Sequence, residues 1–123
     1  MANNDEEAVG ETIFGRMLTG QEPSRFIYED EQCVAFDDIN PTAPVHFLVI
    51  PRKPIRQLAD ATEEDQLLLG HLLLVGNRIA REQKRMAADG YRVVINSGHN
   101  GFQTIYHLHL HFIGGRQLGW PFG

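Results

Sequence analysis

Residues 105–113 read Ile-Tyr-His-Leu-His-Leu-His-Phe-Ile, so that His107, His109 and His111 occupy alternate positions of one apolar run. Successive side chains of an extended chain point to opposite faces. The run therefore predicts a β-strand that carries three imidazoles on one face and buries the other, which is formed by Tyr106, Leu108, Leu110 and Phe112. An imidazole, with an unperturbed pKa of about 6.5, can act as nucleophile, proton donor or ligand near pH 7. Three on one face indicate a functional site.

The composition indicates one globular domain and gives no sign of a nucleic-acid or membrane partner. The chain has 123 residues, with 11 basic and 16 acidic side chains, and no basic run that would indicate a nucleic-acid or membrane surface. Its single cysteine, Cys33, cannot form an intramolecular disulfide, which favours a reducing compartment. Residues 1–10 are polar and contain no apolar signal core. We expect a flexible segment at 1–10, one domain at 11–123 and a cytoplasmic location.

The rest of the chain predicts two helices and four further strands. Apolar spacing and end signals favour helices at 12–18 and 62–86, the second with Thr62 as its N-cap. Strands are predicted at 25–28, 33–36, 45–50 and 91–95, and polar loops at 37–44 and 96–104. Because no βαβ alternation is present, this order predicts an α+β fold with a five-stranded, largely antiparallel sheet.

The middle of the second helix is apolar around almost its whole circumference. The residues concerned are Leu67, Leu68, Leu69, Leu72, Leu73, Leu74 and Val75. A helix that packs only on its own sheet needs a single apolar stripe. We therefore expect a second covered face, most simply in a homodimer, and the alternative is coverage by the N-terminal helix.

A metal site is one interpretation of the histidine face. Neighbouring same-face side chains of a strand start about 6.6 Å apart and the outer pair about 13 Å apart. That separation is too large for all three to close on one ion with bonds of about 2 Å. Two of the strand histidines together with His46 remain possible.

Chemistry at phosphorus is the other interpretation. A neutral imidazole is a good nucleophile and can form a covalent intermediate, provided that an acceptor holds its other ring nitrogen. The phosphoryl oxygens need donors. The loop at 96–104 can supply them from its amide and hydroxyl side chains and from the backbone N–H groups of its glycines.

The histidine run resembles the signature of the histidine-triad (HIT) superfamily, in which three histidines alternate with apolar residues. The likeness extends to the stretches at 12–15 (TIFG), 35–39 (AFDDI), 41–44 (PTAP) and 46–51 (HFLVIP). The tail, with GGRQL at 114–118 before Trp120, is similar to the HINT branch rather than to the Fhit or galactose-1-phosphate uridylyltransferase branches. The resemblance implies a HIT-like α+β fold whose sheet extends across a homodimer.

The same resemblance implies a purine nucleoside phosphoramidase, which cleaves the P–N bond of adenosine or guanosine 5′-phosphoramidates and of aminoacyl-adenylate-like substrates. His109 would attack phosphorus and form a nucleotidyl-histidine that water hydrolyses. His107 would orient it through its backbone carbonyl, with His46 packed behind. His111 would contact the phosphate or the leaving group.

Substrate-binding residues are implied residue by residue. They are Asn96, Gln103 and Thr104 for the phosphate, Asp38 for the ribose, Ile13, Phe14, Phe36 and Ile39 for the purine, and Trp120, which would reach across the dimer. The implied partners are a purine nucleotide and a second copy of the chain, without nucleic acid, membrane, metal or other cofactor.

Two positions depart from the family pattern, and two other functions stay open. Phe102 stands where a small residue, often glycine, is usual, and Thr104 replaces a serine. The chain could instead be a HIT-type dinucleotide hydrolase or nucleotidyltransferase acting on a P–O–P bond, which the HINT-like tail opposes. It could also be a nucleotide-binding interaction protein with vestigial activity, which the intact His109 opposes.

Overall fold

A computed structural model describes residues 11–122 and confirms the predicted α+β class. The elements in chain order are α1 (Ile13–Leu18), β1 (Tyr28–Glu29), β2 (Cys33–Asp37), β3 (Val45–Pro51), α2 (Gln66–Glu82), β4 (Tyr91–Val94) and β5 (Leu110–Gly114), with short 3-10 turns at Leu58–Asp60 and Glu63–Asp65. Within the described residues the five strands form one antiparallel sheet in the order β1-β2-β3-β5-β4. The strand predicted at 25–28 is only the two-residue β1. The segment at 1–10 lies outside the described residues.

The histidine strand is shorter than predicted, because sheet pairing begins only at Leu110 rather than at residue 105. The register of β5 against β3 would place Leu108 opposite Pro51. Proline has no N–H to donate to a ladder. The carbonyl of Leu108 would therefore find no backbone donor at Pro51, and the N–H of Leu108 donates outside the sheet, to the carbonyl of Ile55 at 2.7 Å. The first two histidines of the run therefore lie in the segment that leads into β5.

Helix α2 is shorter at both ends than the helix predicted at 62–86, since it spans Gln66–Glu82. Thr62 forms a capping box with Asp65 at the start of the 3-10 turn that precedes α2. The α-helix then ends at Glu82, four residues before the predicted end at residue 86. Arg85 has a φ of 54°, in the left-handed region that a right-handed helix does not continue.

The sheet separates two apolar clusters. The cluster on the α2 side contains Cys33, Ala35, Phe47, Val49, Leu72, Val75, Ile79, Leu108, Leu110 and Phe112. The cluster on the α1 side contains Phe14, Val34, Phe36, Leu48 and Ile50. The predicted buried face of the histidine run is thus confirmed at its three apolar positions from residue 108 to 112. Tyr106 is also buried, with the guanidinium of Arg56 5.2 Å from its ring centre.

Helix α2 leaves part of its leucine surface uncovered. Leu67, Leu73 and Leu74 are 87%, 44% and 66% exposed. Helix α1 packs on the opposite side of the sheet, which contradicts the alternative that it covers these leucines. Despite this apolar surface, no helix among residues 11–122 has the length and hydropathy needed to cross a membrane.

Candidate active site

His109 is the buried centre of a histidine cluster just before β5. Its Nδ1 lies 2.8 Å from the carbonyl oxygen of His107. Because a carbonyl can only accept, Nδ1 carries the proton and Nε2 keeps its lone pair. The ring of Phe14 meets the ring of His109 edge-on, with centres 5.1 Å apart. This is the tautomer that a nucleophilic imidazole requires.

His107 contributes to the cluster through its backbone. Its side chain is 1% exposed, and Nε2 donates to the carbonyl oxygen of Pro51 at 2.8 Å. This bond ties the segment before β5 to the end of β3 and so fixes the carbonyl that holds His109. The side chains therefore keep alternating between the two faces in this segment, although it is not paired with another strand.

His46 on β3 and His111 on β5 form a second part of the cluster. The backbone N–H of Thr42 donates to Nδ1 of His46 at 3.1 Å, so the proton of the neutral ring is on Nε2. That Nε2 lies 2.9 Å from Nδ1 of His111 and 3.4 Å from a carboxylate oxygen of Asp38. His111 accepts at Nδ1, which places its own proton on Nε2. His46 therefore lies beside the third histidine of the run rather than behind the first.

Burial keeps these histidines neutral. Desolvation lowers the pKa of His109 from 6.5, although the bond to the carbonyl of His107 opposes the shift. The pKa of His111 falls to about 4, because burial acts together with the nearby rings of His109 and His46. Burial also lowers the pKa of His46, and the charge of Asp38 partly offsets it. Neutral imidazoles at pH 7 suit nucleophilic attack.

We expect activity to persist in mildly acidic solution. Because its pKa is lowered, Nε2 of His109 is protonated only below pH 6.5, so the acidic limb of kcat/KM has its midpoint below that value. A midpoint at or above pH 6.5 would contradict the assignment.

The free energy of unfolding should also fall in acid. Between pH 6.5 and about 4, His111 is protonated in the unfolded chain but not in the folded protein, so lowering the pH favours unfolding. Circular dichroism at each pH separates the two effects.

The predicted purine-binding residues fall into two groups. Phe14 and Phe36 are buried, with ring centres 5.4 Å apart, and Phe14 joins this pair to the histidine cluster. Ile13 and Ile39 are 40% and 91% exposed. The structure thus places the ring of Phe14 against the imidazole of His109 and leaves Ile13 and Ile39 at the surface.

Gln103 has a place different from the one predicted. Its Oε1 accepts from the N–H of Gly98 at 3.0 Å, and its Nε2 donates to the carbonyls of Arg56 and Ile105 at 2.9 and 3.0 Å. Both amide protons are used inside the protein, so none is left for a phosphate oxygen. We revise its role to holding the loop in shape.

The other predicted residues lie at or near the surface. Asn96 is half-buried and Thr104 is exposed, at the two ends of the loop. Trp120 is 79% exposed, and its ring centre lies 4.8 Å from that of Phe122. Phe102 is 80% exposed and has a φ of 61°, in the left-handed region that favours glycine. This conformation explains why a glycine suits the position.

One edge of the cluster has donors for a metal ion. Ligand atoms of Asp38, His46 and His111 lie within 4.8 Å of one another. Only one histidine of the run, His111, belongs to this set. The sequence alternative of two strand histidines with His46 is therefore not the set that the structure brings together.

The chain is similar to known proteins along almost its whole length. Residues 19–118 match the family model of the HIT domain. A HIT-like protein of Synechococcus elongatus is 52% identical over 113 residues, which are 92% of this chain and 97% of that protein. A solved HIT family hydrolase from Legionella pneumophila has a TM-score of 0.86 and 39% identity, and covers 90% of this chain and 98% of its own. One from Clostridium thermocellum has a TM-score of 0.84 and 36% identity, with 89% and 94% covered.

Proposed function

This chain belongs to the HIT domain family, and on that premise we propose that it hydrolyses the P–N bond of purine nucleoside 5′-phosphoramidates through a covalent histidine. The observation that carries the proposal is the 2.8 Å bond between Nδ1 of His109 and the carbonyl of His107, which leaves Nε2 as a lone-pair donor. Two structural relatives are named hydrolases, which supports hydrolysis at a coarse level. The HINT-like tail favours phosphoramidates among the substrates of the family.

In the proposed first step, Nε2 of His109 attacks phosphorus. A bond from this nitrogen to phosphorus forms, and the bond to the leaving amine breaks. The electron pair of the broken bond stays on the amine nitrogen, which must gain a proton to depart. We assign that proton to Nε2 of a protonated His111, which gains a proton from solvent when the substrate binds and returns to the neutral ring as the amine departs. The anionic substrate favours the protonated form of His111.

In the proposed second step, water attacks phosphorus and the bond to His109 breaks. Because Nδ1 keeps its proton in the bond to the backbone carbonyl, the ring leaves as a neutral imidazole. The water proton passes to His111, which lost its own in the first step. Two displacements with a stabilised intermediate replace one difficult displacement.

The substrate-binding roles remain part of this proposal. Asp38 is oriented by the N–H of Asn40, at 2.8 Å, and its second oxygen lies toward His46. A carboxylate held in this way can accept from vicinal ribose hydroxyls. The phosphate donors are Asn96, Thr104 and the loop backbone, and the purine contacts are Ile13, Phe14, Phe36 and Ile39.

A homodimer completes the proposal. The exposed leucines of α2 offer an apolar surface to a second copy, and β4 is an edge strand at which the sheet could continue into it. In such a dimer the exposed Trp120 would reach the partner's site and shape the choice of leaving group. Light scattering at micromolar concentration should give the mass of two chains, and a single-chain mass would contradict this assembly.

The substrate class is tested by comparing two nucleotides. We expect kcat/KM for adenosine 5′-phosphoramidate to exceed that for diadenosine polyphosphates at least ~10-fold, equivalent to about 1.4 kcal/mol in the barrier. The opposite preference would favour a P–O–P hydrolase. Binding of AMP without turnover of either compound would favour a nucleotide-binding protein.

A further inference from the structure

A second cluster of chemically reactive side chains lies on the α2 side of the sheet. Asp30 precedes β2, Cys33 begins β2, and His71 projects from the middle of α2. One ligand atom from each lies within 4.8 Å of the others. The carboxylate of Asp30 is 2.7 Å from Nε2 of His71, and Cys33 is completely buried. The histidine cluster lies on the other side of the sheet.

We propose that Asp30, Cys33 and His71 form a zinc-binding site that is independent of the active site. Zinc prefers four tetrahedral ligands of nitrogen, sulfur and oxygen, with bonds of about 2.0 to 2.3 Å, which places the ligand atoms roughly 3.5 Å apart. The donors need to move by only about 1 Å to reach that spacing. The carboxylate and a thiolate balance the charge of the ion, and water takes the fourth position.

The carboxylate of Asp30 is already oriented for this role. Its Oδ1 accepts from the backbone N–H groups of Gln32 and Cys33, at 2.7 and 2.8 Å. Its Oδ2 faces His71 and also accepts from the hydroxyl of Tyr28, at 2.9 Å. Outer hydrogen bonds of this kind fix a ligand's direction and raise metal affinity.

Metal uptake exchanges protons and transfers no electrons. Zinc displaces the thiol proton of Cys33 into solvent, and Nε2 of His71 exchanges the hydrogen that it donates to Asp30 for a bond to the ion, with the ring proton held at Nδ1. The bonds that form are one zinc–sulfur, one zinc–nitrogen and one zinc–oxygen bond. The ion would join the turn before β2 to helix α2, which are already linked by the hydrogen bond between His71 and Asp30.

Cobalt(II) titration tests the site directly. Cys33 is the single cysteine of the chain, so a thiolate-to-cobalt charge-transfer band reports this cluster alone. The other possible metal group, Asp38 with His46 and His111, contains no sulfur. We expect the band to saturate near one equivalent and to disappear when zinc is added. Saturating zinc is expected to raise the Tm by roughly 4 °C or more.

Three variants complete the test. Cys33→Ala should abolish the band, and His71→Gln should weaken cobalt binding at least ~10-fold, on the scale seen when the surroundings of a metal ligand are disrupted. His99→Gln, at an exposed loop position, should leave the band unchanged. Absence of the band in the parent at excess cobalt, or an undiminished band in His71→Gln, would overturn the site. If Cys33→Ala does not fold, the parent and His71→Gln still decide.

Discussion

Replacing His109 with alanine is expected to lower kcat at least ~10³-fold, equivalent to about 4 kcal/mol in the barrier. We expect no neighbouring ring to take its place, since His107 is only 1% exposed. Nδ1 of His111 is bonded to His46, and Nε2 of His107 donates to the carbonyl of Pro51. The purine and ribose contacts do not involve the deleted ring, so AMP should still bind.

The loss is measured by steady-state and single-turnover hydrolysis of an adenosine phosphoramidate, with calorimetric binding of AMP to the same variant. His99→Gln provides the matched control, since it removes the imidazole of an exposed residue and should keep kcat near the parent value. A kcat within tenfold of the parent in His109→Ala would rule out a covalent histidine at this position.

The largest structural effect is expected from Gly76→Ala in α2. A Cβ at this position would lie 1.9 Å from Cζ of Phe112. That ring is 1% exposed, stacks on Phe47 with centres 5.0 Å apart and meets Tyr91 on another side at 5.9 Å. Since the ring has no room to retreat, we expect the free energy of unfolding to fall by ~3 kcal/mol.

Gly70→Ala is the control for this substitution in the same helix. An added Cβ at Gly70 would meet no atom within 4 Å. Because alanine restricts the unfolded chain more than glycine does, this variant should gain about 0.4 to 1 kcal/mol. Urea unfolding of both variants gives the comparison. Equal stability of the two would mean that Phe112 does not fill the space beside Gly76.

The parts of the fold that depend on local pattern were predictable from sequence. Alternation of apolar side chains placed Leu108, Leu110 and Phe112 in the core, and the hydroxyl of Thr62 marked the start of the 3-10 turn that leads into α2. The start of β5 was not predictable, because it depends on residues of other segments: Pro51 has no N–H for the ladder, and the carbonyl of Ile55 accepts from the N–H of Leu108. The residue at which β5 begins is thus set by contacts between residues distant in sequence, which periodicity does not reveal.

In the candidate site, too, contacts between neighbours in sequence were predictable and contacts between distant residues were not. The expected bond from Nδ1 of His109 to the backbone carbonyl of His107 joins residues only two positions apart. The structure contains this hydrogen bond. From sequence the side-chain amide of Gln103 was predicted to donate to a phosphate. In the structure it donates to the backbone carbonyl of Arg56, 47 residues away in the chain. No sequence signal paired the N–H of Thr42 with His46.

The most direct measurement of the central claim is mass spectrometry of the protein quenched during turnover of an adenosine 5′-phosphoramidate. We predict a protein species heavier by one adenylyl group, with the group on His109 after proteolysis. The species should be absent from His109→Ala. An adduct on another histidine, or turnover without any adduct under conditions that stabilise phosphohistidine, would contradict the mechanism.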